Sequence, residues 1–126
     1  DFELATAILK TKNGVQCIIS NSRHCSFGYD QRVELFGSKG MIISDNIKEN
    51  EISLYSNKST NEQSSFKHFF IERYDQAYKE QLNDLAKLFR SNLRPKSGFI
   101  DGKISIQIAE SAIRSLKSKK FEKIKY

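Results

Sequence analysis

Residues 21 to 32 contain the side chains best suited to binding chemistry in this chain. The stretch begins as a strand and then breaks into a polar cluster of Gly28, Tyr29 and Asp30 before strand character returns. A phenol, a carboxylate and the guanidinium groups of Arg23 and Arg32 can match the donors and acceptors of a polyol, because sugars and cyclitols are held through their hydroxyl groups. The pattern predicts either the edge of a polyol pocket or an ordinary solvated loop.

Tyr29 is the strongest single candidate for a ligand contact. It follows Gly28, which permits backbone angles that other residues avoid, and it is flanked by Asp30 and Arg32. Its hydroxyl could therefore be held toward a ligand.

Catalytic and metal-binding patterns are weak in this sequence. Cys25 follows His24, but adjacent residues on an extended chain point to opposite faces and do not easily share a proton. Cys17 is eight positions from Cys25, outside the spacing of paired zinc ligands, and His68 does not complete a ligand set with them. We therefore predict no catalytic residue and no metal site within the chain.

Composition narrows the classes of partner. The 126 residues suit one domain, and the net charge of +6 raises the question of nucleic acid binding. The lysines are scattered, however, and the densest cluster, Lys117, Lys119 and Lys120, closes a predicted helix, where cations favour the helix dipole. The longest apolar runs fall far short of the roughly 20 residues that span a bilayer. We expect no nucleic acid or membrane partner, and the unpaired cysteines favour a cytoplasmic location.

The first half of the chain predicts strands. Residues 4–9 and 15–19 are rich in apolar and β-branched types, and Asn13-Gly14 between them is a hairpin turn signal. Residues 32–36 and 40–43 predict a second hairpin, residues 52–55 a further short strand, and residues 56–65 a turn or loop.

The second half predicts two helices. A three-to-four-residue spacing gives the first helix, ending near Arg90, an apolar stripe that we expect to pack on the sheet: Ile71, Tyr74, Tyr78, Leu82, Leu85 and Phe89. Asp101 is the predicted cap of the second helix. The buried face of this helix comprises Ile104, Ile108, Ala112 and Leu116, flanked by Ala109 and Ile113. Residues 121–126 are predicted to return as a last strand.

Strands followed by helices predict an α+β fold, a mainly antiparallel open sheet with two helices packed on one face. Because the first strands carry apolar groups on both faces, the sheet needs a second cover, which a partner subunit could supply. We therefore expect a homodimer or homotetramer that assembles through the sheet face.

Residues 27–32, Phe-Gly-Tyr-Asp-Gln-Arg, are the most specific of several segments that suggest a known family. They resemble the carboxy-terminal domain of the glucose-fructose oxidoreductase and inositol dehydrogenase (Gfo/Idh/MocA) family, particularly its inositol 2-dehydrogenases. Further matching segments follow in the family's order: 21–23, 33–34, 36–37, 39–41, 72–74, 77–78, 95, 98, 101–102, 108–112 and 115–116. The similarity covers essentially all 126 residues.

This resemblance implies that residues 1–126 are a substrate-binding and oligomerisation domain, and that an amino-terminal Rossmann domain binding NAD is absent from the chain. It implies Tyr29 as a substrate contact, with Asp30 and Arg32 positioning the loop. The family's catalytic lysine, aspartate and histidine have no counterpart here, so the chain alone is expected to be inactive. Phe27 replaces a tyrosine common in the family.

The implied activity of the whole protein is NAD-dependent oxidation of a ring hydroxyl of myo-inositol, with a cyclitol or sugar as the substrate. Two alternatives remain open: the same family acting on another sugar or polyol, and a non-catalytic basic binding module. The sequence does not distinguish the inositol isomer, the oxidised hydroxyl, or NAD from NADP.

Overall fold

The α+β class is confirmed by the structure, a computed structural model that describes residues 2 to 125. Strands occupy the first half of the chain and helices the second. In chain order the elements are β1 (Leu4–Lys10), β2 (Gln16–Ser22), β3 (Val33–Gly37), β4 (Gly40–Ser44), β5 (Ser53–Leu54), β6 (Glu62–Gln63), α1 (Phe70–Ser91) and α2 (Phe99–Ser118).

The strands pair as neighbours along the chain, β1 with β2, β3 with β4, and β5 with β6. In the turn of the first hairpin, Gly14 takes a φ of 85°, a conformation that glycine adopts without a side-chain penalty. The Gly14 N–H donates to the Thr11 carbonyl at 3.1 Å, and the Thr11 N–H donates to the Val15 carbonyl at 2.9 Å. The predicted turn at Asn13-Gly14 is confirmed.

The β3–β4 hairpin is antiparallel and apolar on both faces. Leu35 lies opposite Ile42 and Phe36 opposite Met41. Directly paired residues share a face, so the first pair marks one surface and the second pair the other. All four side chains are at least half exposed.

The third hairpin corrects one sequence prediction. Residues 56–65 were predicted as a turn or loop, but within them Glu62 and Gln63 pair with Leu54 and Ser53 as an antiparallel strand. A tight turn brings the strands together, because the Ser56 N–H donates to the Ser59 carbonyl at 2.9 Å. Polar side chains thus close a hairpin that apolar periodicity does not reveal.

The chain forms two compact units. One contains Asn21–Glu80 with the N-terminal residues to Ala5, and the other contains Thr6–Ser20 with the chain from Gln81 onward. Over residues 2 to 125, no apolar side chain is buried, whereas the polar residues Asn46 and Ser111 are only 7% and 4% exposed. Neither helix in this range has the run of apolar residues that crossing a bilayer requires.

Helix α1 ends at Ser91, close to the predicted Arg90, and two residues in the second half of its stripe are largely exposed. Leu82 is 68% exposed and Phe89 82% exposed. The prediction that the stripe packs on the sheet is therefore wrong for these residues. The periodicity identified the helix correctly, but it does not specify which surface covers an apolar face.

Helix α2 begins at Phe99, so the predicted N-cap, Asp101, lies inside the helix. Gly98 is the N-cap, and Asp101 lies at the third helical position, where its Oδ2 accepts the Gly98 N–H at 2.7 Å. Of the predicted buried face, Ile104, Ile108 and Ala112 are half-buried, whereas the flanking Ala109 and Ile113 and the final Leu116 are exposed.

The predicted last strand is wrong over residues 121–125, which form neither helix nor strand, and Tyr126 lies outside the described residues. Lys119 takes a left-handed conformation with φ of 54°, and Ser115 Oγ donates to the Lys120 carbonyl at 2.6 Å. The segment after Lys119 turns back along α2. Together with α2 and with Thr6–Leu9 of β1, it lines a cavity of about 490 Å³.

Candidate functional site

The loop from Gly28 to Arg32 is held by hydrogen bonds from two distant segments. The Tyr29 N–H donates to the Lys67 carbonyl at 3.0 Å. The Asn46 side chain donates to the Tyr29 carbonyl at 2.8 Å and accepts the Ile47 N–H at 3.0 Å. Because Asn46 is only 7% exposed, these bonds are protected from competition by water. Both backbone polar groups of Tyr29 are thereby satisfied.

The backbone conformation and close packing at position 28 require a glycine. Its φ is 115°, and a Cβ at this position would lie 3.0 Å from the Lys67 carbonyl oxygen and 3.3 Å from that of Phe66. Any other residue would push the loop away from this segment and disturb the Tyr29–Lys67 hydrogen bond. The glycine therefore sets the position of Tyr29.

Asp30 and Arg32 form a bidentate ion pair within the loop. Arg32 Nε and Nη2 each donate to one carboxylate oxygen of Asp30 at 2.8 Å. The hydrogen bond, followed by the charge of Asp30, raises the pKa of the Arg32 guanidinium. This geometry suits two residues that brace a loop, and it occupies both carboxylate oxygens.

The Tyr29 side chain is half-buried and points toward helix α1. Its hydroxyl lies 3.4 Å from the hydroxyl of Tyr74, and the two rings meet edge to face with centroids 5.5 Å apart. The Tyr74 hydroxyl also donates to Gln31 Oε1. Three polar groups from one loop and one helix therefore form a continuous hydrogen-bonded chain.

Tyr74 has a distinctive electrostatic environment. The hydrogen bond with Tyr29 raises the pKa of Tyr74 above its ordinary value of 10.0, and partial withdrawal from water acts in the same direction. The Arg73 guanidinium lies 5.6 Å from the Tyr74 ring centroid and opposes this shift in pKa. Tyr74 is therefore a neutral phenol, able to donate a hydrogen, throughout the neutral pH range.

Sequence reasoning missed three residues of this cluster. Tyr74 was assigned to the apolar stripe of α1, and Gln31 and Asn46 received no role. Tyr74 lies 45 positions from Tyr29, and Asn46 lies 17 positions from it, so neither contact has a local signature. A tyrosine on an apolar stripe is a weak signal for such a role, since a buried phenol needs a hydrogen-bond partner.

Two other residues of the opening stretch contact Glu3. The Arg23 N–H donates to the Glu3 carbonyl at 2.8 Å, and His24 Nε2 lies 3.7 Å from Glu3 Oε1. Cys25 is half-buried with a free thiol. Across residues 2 to 125, no three His, Cys, Asp or Glu side chains are grouped closely enough to hold a metal ion.

The loop and helix together offer neutral hydrogen-bonding groups beside aromatic rings. The Tyr78 ring extends the series, with its centroid 6.2 Å from that of Tyr74. Hydroxyl and amide groups next to aromatic faces suit a polyhydroxylated ring, which presents hydroxyls at its edge and C–H groups on its faces.

Comparisons with known proteins bear directly on this loop. Residues 2–43, which include it, match the profile of the GFO/IDH/MocA C-terminal domain. The predicted resemblance to the GFO/IDH/MocA family is confirmed. The curated myo-inositol 2-dehydrogenase of Thermotoga maritima is 36% identical over 98% of this chain, which corresponds to 37% of that protein.

Two further dehydrogenases are similar to this chain over nearly all of its length. The inositol 2-dehydrogenase of Rhizobium meliloti is 31% identical over 95% of the chain and 36% of that protein. The crystal structure of a myo-inositol dehydrogenase from Corynebacterium glutamicum superimposes with a TM-score of 0.87 at 38% identity, over 95% of this chain and 36% of that one. The chain thus spans little more than a third of the length of these relatives.

Proposed function

We propose that residues 1–126 are the substrate-side and oligomerisation domain of an NAD-dependent inositol 2-dehydrogenase, an enzyme that oxidises a ring hydroxyl of myo-inositol. The named relatives support the reaction, and the loop at Tyr29 supports the role of this chain within it. The single observation that carries the proposal is a family-matched tyrosine held by buried hydrogen bonds, with its phenol next to a second phenol.

The proposed mechanism divides the work between this chain and the remainder of the enzyme. When bound, NAD would supply the acceptor for the hydride that leaves the ring carbon, and a base outside residues 1–126 would take the hydroxyl proton. In this proposal NAD is bound by an amino-terminal Rossmann domain, as the resemblance to the family implies. The chain's own residues bind and orient the polyol.

In this mechanism Tyr29 makes a hydrogen bond to a substrate hydroxyl. Asp30 and Arg32 act as positioning residues, because their mutual ion pair braces the loop immediately after Tyr29 in the sequence. Orientation of the polyol matters because group transfer requires the reacting atoms to be held in a closely defined geometry.

A second candidate function is oxidation of a different sugar or polyol by the same type of enzyme. Phe27, where the family commonly has tyrosine, favours it, because its ring packs near that of Phe66 with centroids 5.9 Å apart and offers no hydroxyl. A pocket that has lost one hydrogen-bonding group suits a substrate with one hydroxyl fewer, or with a different configuration.

The test is nicotinamide reduction by the full-length protein that contains this chain. Purified protein is assayed with NAD or NADP against myo-inositol, other inositol isomers and pyranoses. We expect NAD reduction with the highest kcat/KM for myo-inositol. A preference for a pyranose would support the second candidate, and no reduction with any polyol would refute both.

A further inference from the structure

Helix α2 carries an exposed apolar stripe next to the side that lines the cavity with β1. Ile108, Ser111 and Ala112 line that cavity. The exposed stripe advances in steps of three and four residues: Phe99, Gly102, Ile106, Ala109, Ile113 and Leu116. Steps that alternate in this way place the residues along one line of a helix, which is the pattern of a helix that packs lengthwise against a second helix.

The first part of this stripe has the shape of a socket. Phe99 and Ile106 are 86% and 63% exposed, and a Cβ added to Gly102 between them would have nothing within 4 Å. A groove of about 430 Å³ lies here, and its lining includes four residues spaced i, i+3, i+4 and i+7: Phe99, Gly102, Lys103 and Ile106. Four residues with this spacing form the hole that receives one side chain of a partner helix.

The stripe complements itself when a second copy of α2 runs antiparallel to the first. In the antiparallel register Gly102 faces Ile113 of the second copy. Ile106 faces Ala109 of the second copy, so that a large side chain meets a small residue in both layers. A parallel pair would instead place Gly102 opposite Gly102 and leave a gap in that layer.

The charges beside the stripe fit the same antiparallel register. Lys103 and Glu110 are seven residues and about 10 Å apart along the helix axis, too far to pair within one helix. Glu110 Oε2 lies 3.9 Å from Arg114 Nη1, and the Glu110 side chain is 62% exposed, so a further cation can reach it. In the antiparallel pair Lys103 lies opposite Glu110 of the second copy, and two-fold symmetry makes this contact twice.

We propose that α2 forms a subunit interface by packing antiparallel against α2 of a second copy of this chain. This inference deepens the oligomerisation role in the proposed function and rests on it. The interface uses none of the residues of the β3–β4 hairpin. An enzyme with both interfaces is a tetramer in which each subunit meets two neighbours.

The first experiment removes the apolar contact in the full-length protein. Ile106→Glu places a carboxylate in the proposed interface, which is costly in apolar surroundings, so sedimentation should show an assembly with half as many subunits. Ile100→Glu is the matched control, because Ile100 is 62% exposed on the same helix but lies off the stripe. This control should keep the assembly of the unsubstituted protein.

The second experiment tests the register by exchanging charges. Lys103→Glu or Glu110→Lys alone turns two favourable contacts into two unfavourable ones, and should raise the dissociation constant between the two halves of the assembly about tenfold. The double variant restores opposite charges and should return to within about threefold of the unsubstituted protein. Lys39→Glu makes the same change of charge in the β3–β4 turn and should have no effect on this constant. A double variant as weak as either single variant would contradict the antiparallel register.

Other coverings of the stripe predict different results. If the remainder of the enzyme covers it, Ile106→Glu should lower the thermal midpoint of the full-length protein without changing its assembly. If the stripe faces water, Ile106→Glu should change neither. Both results would overturn the inference, as would a monomeric unsubstituted protein. Should Ile106→Glu fail to fold, the charge exchange decides.

Activity separates this inference from the dehydrogenase proposal. An unchanged assembly in Ile106→Glu, in an enzyme that reduces NAD with myo-inositol, would remove the α2 interface and leave the proposed reaction intact. An enzyme that oxidises no polyol would refute the proposed reaction, and sedimentation of the same variants would still decide whether α2 pairs with α2.

Discussion

At the scale of single residues, Gly28 determines whether the loop can approach its neighbour. Gly28→Ala should lower the stability of the full-length protein by about 1–3 kcal/mol, because the new Cβ would meet the Lys67 and Phe66 carbonyl oxygens at a positive φ. Gly14→Ala is the matched control, since Gly14 also has a positive φ but open space around it. Calorimetric thermal midpoints should fall further for Gly28→Ala, and equal losses would show that the close approach is unimportant.

The Tyr74 phenol predicts a pH dependence of stability. Its pKa in the folded chain is raised above the ordinary 10.0, so above about pH 10 the folded protein retains a proton that the unfolded chain has released. The contribution of Tyr74 is therefore complete below this pH and is lost as the pH rises further. Thermal midpoints between about pH 9 and 11 should decline more steeply in the unsubstituted protein than in Tyr74→Phe. Equal slopes in these two proteins would contradict the assignment, and Tyr55→Phe should retain the steeper slope.

The site could be predicted from the sequence only where its signals are local. Gly28, Tyr29 and Asp30 are consecutive, and Asp30 lies two residues from its partner Arg32, so one short segment reveals them. Asn46 and Tyr74 reach Tyr29 only once the chain has folded. Their roles depend on tertiary contacts that no spacing rule encodes.

At the scale of elements, the start of α2 depends on a single carboxylate. Asp101 accepts the Gly98 N–H at 2.7 Å and also places a negative charge at the positive end of the helix dipole. Asp101→Ala should cost about 0.5–1 kcal/mol of stability. Asp84→Ala, in the exposed middle of α1, is the control and should cost less. Equal losses in thermal midpoint would show that the cap contributes nothing special.

Elements defined by turns and periodicity were predictable, whereas their exact boundaries and the surfaces that pack against them were not. Asn13-Gly14 fixes the first hairpin, and the three-to-four-residue spacing identifies α1 and α2. Asp101 suggested an N-cap because carboxylates are common both there and at the third helical position. The segment after Lys119 could not be predicted because its path follows the surface of α2.

At the scale of the whole molecule, exposed apolar side chains indicate that further surfaces cover this chain. Leu35 and Ile42 are 61% and 69% exposed on one face of the second hairpin, and Phe36 is 84% exposed on the other. Patches of this kind mark protein interfaces. They agree with the proposal that residues 1–126 function within a larger, oligomeric enzyme.

Assembly through the sheet face can be tested by charge. We expect the full-length protein to sediment as a dimer or tetramer, and Leu35→Glu or Phe36→Glu to shift it toward monomer, because a carboxylate is costly in an apolar interface. Lys39→Glu, in the turn of the same hairpin, should leave the assembly unchanged. A monomeric unsubstituted protein would refute the oligomerisation role.

The central claim is that Tyr29 holds the polyol of an inositol dehydrogenase, and steady-state kinetics of the full-length enzyme test it most directly. Tyr29→Phe should raise KM for myo-inositol about five- to tenfold, as loss of one hydrogen bond implies. Tyr55→Phe should stay within about twofold of the unsubstituted enzyme, since its phenol lies on an exposed hairpin. Unchanged kcat and KM in Tyr29→Phe would contradict the claim.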